Sequence, residues 1–131
     1  MEMHLKIIGC LLVMLSLLHL LFPKYFRWAQ ELAAVSLINR QIMYVHTFFI
    51  AVVVFLTGTL CLTSSNEILS TVLGKRLALG LGIFWLLRLF VQFFGYSSTL
   101  WKGKQFETFV HVVFAFLWAY VSVIFLLIYF L

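Results

Sequence analysis

The chain has 131 residues, of which 65% are hydrophobic and 10% charged, and its formal net charge is +5. A soluble domain carries about 45–50% apolar and about 25% charged residues, so this composition excludes an ordinary soluble fold and predicts a protein whose solvent is lipid. The basic residues stand between apolar runs and form no basic patch with interleaved aromatic residues, so no nucleic-acid partner is expected.

Four apolar runs follow one another along the chain, at residues 5–22, 42–62, 77–94 and 109–131. A helix needs roughly 17–25 residues to cross a hydrocarbon core about 30 Å thick, so each run is long enough to span a membrane. Backbone groups in lipid must pair within their own segment, which favours helices. The predicted fold is therefore an all-α, up-down-up-down bundle of four transmembrane helices, forming a single domain over residues 1–131.

The connections between these runs are short and carry the residues that usually mark membrane interfaces and turns. The first holds the only proline and a group of interfacial aromatic residues, and part of it is predicted to form a helix lying in the membrane surface. The second is predicted to begin with a capped turn. The residues concerned are Pro23, then Tyr25, Phe26 and Trp28, and in the second connection Ser65 or Asn66.

Charge in the connections predicts an orientation. Four crossings place both termini on one side, and the connections at residues 23–41 and 95–108 on the other. The positive-inside tendency favours that second side as cytoplasmic, because five of its residues are basic against three on the terminal side. The termini are therefore predicted to be non-cytoplasmic. The five are Lys24, Arg27, Arg40, Lys102 and Lys104, and the three are Lys6, Lys75 and Arg76.

Strongly polar side chains inside the predicted spans all fall in one half of the bilayer. His46 and His111 each lie about one turn inside a span that starts on the loop side, and His19 lies one turn from the end of the first span. Arg88 and Gln92 occupy the last two turns of the third span and share a helix face, being four residues apart. These five residues are predicted to form an inward-facing site, with His19 as its outer member.

Three members of this site also have a simpler interpretation. Arg88 is near enough to the membrane surface to extend its guanidinium to the headgroups. However, an arginine facing lipid at mid-depth costs at least about 2.5–3.5 kcal/mol, which favours burial. His46 and His111 are also suited to interhelical hydrogen bonds, worth on the order of 0.6 kcal/mol each.

Three classes of function are compatible with this pattern. The first is an accessory or anchor subunit without catalytic activity, whose partners are the bilayer and other membrane subunits or copies of itself. The second is an electron-transfer protein: His46 and His111 would ligate the iron of haem b while Arg88 pairs with a propionate, or the same residues would hold a quinone. A small transporter or enzyme is the third, but no carboxylate lies within the four runs to serve it.

Overall fold

The computed structural model describes residues 1–100 and 102–131, and all regular structure in that part of the chain is helical. The predicted all-α class is confirmed. The elements are α1 Glu2–Tyr25, α2 Trp28–Glu31, α3 Leu37–Thr63, α4 Ser65–Ser70, α5 Val72–Phe90, a π-helical turn Val91–Gly95 that continues α5, a 3-10 turn Ser98–Leu100, and α6 Gln105–Phe130.

Among the residues that the structure describes, four helical segments are long and apolar enough to cross a membrane: Glu2–Tyr25, Leu37–Thr63, Val72–Gly95 and Gln105–Phe130. Each predicted run lies inside one of them, apart from the terminal residue of the last run. The helices extend beyond the predicted runs because interfacial residues continue them past the hydrocarbon core, and α1 even includes Pro23. The chain is a small multi-pass integral membrane protein.

The connection after α1 contains much less helix than an interfacial helix would need. Only one turn, α2, forms there, following Arg27 in the left-handed conformation at φ 56°. Trp28 of that turn is buried and meets Tyr44 of α3 edge to face, with ring centroids 5.3 Å apart. Trp28 thus packs this turn against the N-terminal part of α3.

The chain divides into two compact units, one formed by residues 3–65 and one by residues 66–131 together with the first two residues. The prediction of a single domain stays a prediction. In the unit of residues 3–65, α1 and α3 approach each other closely at two glycines. A Cβ built on Gly58 would lie 2.8 Å from the carbonyl oxygen of Gly9, so backbone packs on backbone at this point.

The second unit is built around the antiparallel pair of α5 and α6. The hydroxyl oxygen of Thr71 accepts a hydrogen bond from the backbone N–H of Gly74 at 2.9 Å and so caps the start of α5. Further along, Gly82 receives the side chain of Leu126 on α6, because a Cβ at Gly82 would lie 2.8 Å from that leucine. These two helices, which we call the α5–α6 hairpin, position the candidate site.

Candidate functional site

The side chain of Gln92 lies at the centre of a polar network inside the α5–α6 hairpin. Only 7% of Gln92 is exposed. Its Nε2 donates to Nδ1 of His111 at 2.8 Å and lies 3.5 Å from the His111 carbonyl oxygen. Its Oε1 accepts from Nε1 of Trp118 at 3.3 Å and from Nη1 of Arg88 at 3.4 Å. We call Arg88, Gln92, Tyr96, His111 and Trp118 the Gln92 network.

These contacts fix the orientation of the amide and the tautomer of the histidine. Arg88 and Trp118 can only donate, so the oxygen of the Gln92 amide must face them. The amide nitrogen therefore faces His111, whose Nδ1 must accept and whose ring proton must lie on Nε2. A metal bound through Nε2 needs the opposite tautomer, and turning the amide to provide it would point the Gln92 NH₂ group at two other donors.

The backbone around Gln92 departs from α-helical geometry. Residues Val91–Gly95 form a π-helical turn at the end of the third span. Such turns are rare and are often found at functional sites, because the extra residue rotates the following side chains about the helix axis. Gln92 lies in this turn, and its side chain reaches two residues of α6 that are seven positions apart, His111 and Trp118.

Arg88 is half-buried, and aromatic rings surround its guanidinium. The guanidinium carbon lies 5.1 Å from the ring centroid of Trp118 and 5.5 Å from that of Tyr96, and Nη2 donates to the Tyr96 hydroxyl at 3.4 Å. Such cation–π contacts contribute about 0.5–2 kcal/mol, depending on desolvation. Neither Val72–Gly95 nor residues 108–131 contain an Asp or Glu. The acidic residue of this hairpin's two membrane-spanning helices is Glu107, in the first turn of α6, outside both of these ranges.

Trp118 is also the centre of an aromatic stack. Its ring is nearly parallel to that of Trp85, with 10° between the planes and 5.0 Å between the centroids, and Phe114 stacks at 5.5 Å. Trp85 is buried, and within the described part of the chain its Nε1 has no hydrogen-bond partner. A buried indole N–H without an acceptor is costly, so this donor is a point where a ligand carbonyl would be stabilising.

Three of the five predicted site residues come together. Arg88, Gln92 and His111 form one hydrogen-bonded set, in which Gln92 joins His111 of the facing helix. Both interpretations of His111 stay predictions. The other two belong to the other unit. His19 donates from Nδ1 to the carbonyl oxygen of Leu15 at 2.9 Å, a bond within α1, and His46 is exposed on α3. The predicted pairing of His46 with His111 stays a prediction.

Sequence reasoning missed Tyr96 and the two stacked tryptophans. In the sequence, Trp85 and Trp118 resemble ordinary apolar residues of a span. The one signal available was the three-residue spacing of Trp85 and Arg88, which puts these two residues on the same face of α5. Within residues 1–100 and 102–131, no three His, Cys, Asp or Glu side chains are grouped as a metal site would require.

No family model, curated protein or solved structure matches this chain. Composition, helix length and the Gln92 network define it as a small polytopic membrane protein with a polar site inside one helical hairpin.

Proposed function

We propose that this protein is an accessory subunit of a larger membrane complex, and that Arg88 pairs with a carboxylate in a membrane span of the partner. The observation that supports the proposal is the guanidinium of Arg88 within the third span, which contacts the rings of Tyr96 and Trp118 but no carboxylate among the described residues. Charged residues at such depth usually pair with one another, because hydrocarbon solvates them poorly.

The depth of Arg88 makes pairing valuable. The third span has 24 residues and is about 36 Å long, so it exceeds a hydrocarbon core of about 30 Å by about 3 Å at each end. Arg88 precedes the last residue, Gly95, by seven positions, or about 10 Å, which places its Cα about 7 Å inside the core. A carboxylate brought to this depth would gain more from the charge pair than it would in water.

The surface next to Arg88 is open to a partner helix. Leu87 and Val91 flank it along the helix and are 60% and 44% exposed. A second copy of the chain is a poor partner, since all four acidic residues lie at helix ends or in connections. We therefore propose that the partner is a different protein with an acidic residue in a membrane span. The proposal also includes the orientation in which the connections at residues 23–41 and 95–108 are cytoplasmic.

Replacing Arg88 with glutamine is expected to release that partner. Protein purified from its own membrane in mild detergent should contain one larger subunit at constant stoichiometry, carrying Asp or Glu within a span. Arg88→Gln should reduce its recovery about tenfold or more, the effect of about 1.4 kcal/mol. The measurement is quantitative mass spectrometry of the purified complex, with Arg76→Gln at an exposed position as the matched control.

A second variant separates loss of the charge from loss of the site. Gln92→Glu places a carboxylate next to Arg88, where Oε1 now lies 3.4 Å from Nη1. It retains the arginine but provides an internal counter-ion, and should likewise reduce partner recovery. The proposal is wrong if the complex survives both variants, or if the recovered partner has no acidic residue in its spans.

Quinone binding is the second candidate, and it is favoured by the Nε1 of Trp85, which has no hydrogen-bond partner among residues 1–100 and 102–131. Trp85 and Arg88 both contact the Trp118 ring, with the Trp85 centroid 5.0 Å and the guanidinium carbon 5.1 Å from its centroid. A quinone carbonyl accepts hydrogen bonds from such donors, and its flat ring suits an aromatic wall. Haem is a weaker candidate than a quinone, because the hydrogen bond from Gln92 to Nδ1 leaves the ring proton of His111 on Nε2, where a metal would bind.

Organic extraction and a visible spectrum of the purified protein together distinguish bound quinone, bound haem and no cofactor. If a quinone binds, organic extracts of the purified protein should contain about one quinone per chain, and Trp85→Phe should reduce the yield several-fold while keeping the aromatic stack. Haem would instead give a Soret band that disappears in His46→Ala and His111→Ala. A colourless protein whose extracts contain no quinone would rule out both cofactors.

A further inference from the structure

We infer that the loop end of the α1–α3 hairpin binds the phosphate of an anionic phospholipid. The proposed site comprises Lys24, Arg27 and Arg40, and Arg40 is the half-buried member of the three. This inference concerns the other unit of the chain and none of the residues of the Gln92 network, so it does not depend on the proposed function.

The packing of α1 on α3 brings these cations to one end of the hairpin. The two helices touch at Gly9 and Gly58, and Trp28 of α2, shortly after the end of α1, meets Tyr44 of α3, so α1 and α3 run antiparallel. From the glycine contact, Lys24 is 15 residues along α1 and Arg40 is 18 residues back along α3. At 1.5 Å per residue these offsets are about 22 Å and about 27 Å, so the two residues lie at similar heights.

Arg40 carries the observation that points to a ligand. Its side chain is half-buried, and its Nε is shielded from solvent without a hydrogen-bond partner anywhere in residues 1–100 and 102–131. A buried charged donor without an acceptor is costly, and a phosphate oxygen would satisfy it. Arginine suits this role because Nε and one Nη form a fork that matches two oxygens of a phosphate.

The neighbouring side chains favour a lipid over a free phosphate ion. Tyr25 and Phe26 meet edge to face at 5.0 Å and form part of an interfacial aromatic belt; Tyr25 is 68% exposed. Ile38 on the first turn of α3 is 62% exposed and offers apolar surface two residues from Arg40. A phospholipid would place its phosphate on the cations and its acyl chains along this surface.

The local charge is also positive. Three cations lie between residues 24 and 40, and Glu31 is the only acidic residue among them. A surface of this sign attracts phosphatidylglycerol or phosphatidylserine more strongly than phosphatidylcholine. The phosphate of phosphatidylcholine is accompanied by its own cation, which should lie unfavourably beside Lys24 and Arg27.

The test is lipid retention in native mass spectrometry. Wild-type protein mixed with equal amounts of phosphatidylglycerol and phosphatidylcholine in detergent should retain phosphatidylglycerol preferentially. Arg40→Gln should reduce that retention about fivefold, the contribution of about one cation at a membrane surface. Arg76→Gln, an exposed arginine outside this hairpin, should retain the wild-type amount. Equal retention by Arg40→Gln and Arg76→Gln would overturn the inference.

Two further measurements separate the alternatives. Arg27→Gln changes an exposed cation of the same site and should reduce retention in the same direction even if Arg40→Gln folds poorly, as monitored by helical circular dichroism. Inorganic phosphate at millimolar concentration should not displace the lipid. Displacement of the lipid by phosphate would show that the site does not recognise a lipid. The same conclusion would follow if Arg27→Gln retained as much phosphatidylglycerol as wild type while Arg40→Gln failed to fold.

Discussion

Gly58→Leu is expected to lower the free energy of unfolding of the α1–α3 hairpin by about 3 kcal/mol, the upper range for inserting a side chain into a packed core. The first added atom, Cβ, would lie 2.8 Å from the Gly9 carbonyl oxygen and 3.0 Å from the backbone nitrogen of Val13. Both are backbone atoms, so no side-chain rotation relieves the contact. The helices must separate, and the close packing around the two glycines is lost.

The matched control is Gly80→Leu. Gly80 also lies inside a membrane helix, but a Cβ there would meet nothing within 4 Å. Leucine has the higher helix propensity by about 0.8 kcal/mol, so this variant should be as stable as wild type or slightly more stable. Reversible unfolding in mixed micelles, followed by circular dichroism, measures both variants. Equal stability of the two would mean that Gly9 and Gly58 do not pack as described.

This glycine contact illustrates which parts of the fold the sequence could predict. Hydropathy alone located the spans, because the cost of exposing backbone and charge to lipid operates on every residue of a run. It could not identify Gly58 as the crossing point, since that depends on the rotation of two helices about their axes. In the α5–α6 hairpin, likewise, the close approach of Gly82 to Leu126 follows from the rotation of the two helices and not from their hydropathy.

The same distinction applies to the site. The four-residue spacing of Arg88 and Gln92 required no tertiary information, and their contact at 3.4 Å is what an i, i+4 pair predicts. His111 was predicted to belong to the site because it lies about one turn inside the fourth span, and the boundaries of that span follow from hydropathy. Tyr96 was not, because it lies beyond the π-helical turn, whose presence no residue type signals.

Gln92→Leu is the second large effect, and we expect it to destabilise the α5–α6 hairpin by about 2 kcal/mol. The variant removes the Gln92 contact of His111 Nδ1 at 2.8 Å and of Trp118 Nε1 at 3.3 Å, and it leaves the buried Trp118 N–H without this acceptor. One hydrogen bond between membrane helices contributes on average about 0.6 kcal/mol, and an unsatisfied buried polar group costs about 1–3 kcal/mol. Leucine fills much of the glutamine volume, so the loss comes from polarity rather than from a cavity.

Gln41→Leu makes the same chemical change at an exposed position on α3 and should alter stability by less than about 0.5 kcal/mol. A double-mutant cycle of Gln92→Leu with His111→Phe then isolates the interhelical bond. If the network acts as a unit, the double variant should be less destabilised than the sum of the two single variants, because each removes the same bond. Strict additivity would mean that Gln92 and His111 contribute separately. The α5–α6 hairpin would then depend on its aromatic stack and apolar packing, with Arg88 restrained mainly by Tyr96 and Trp118.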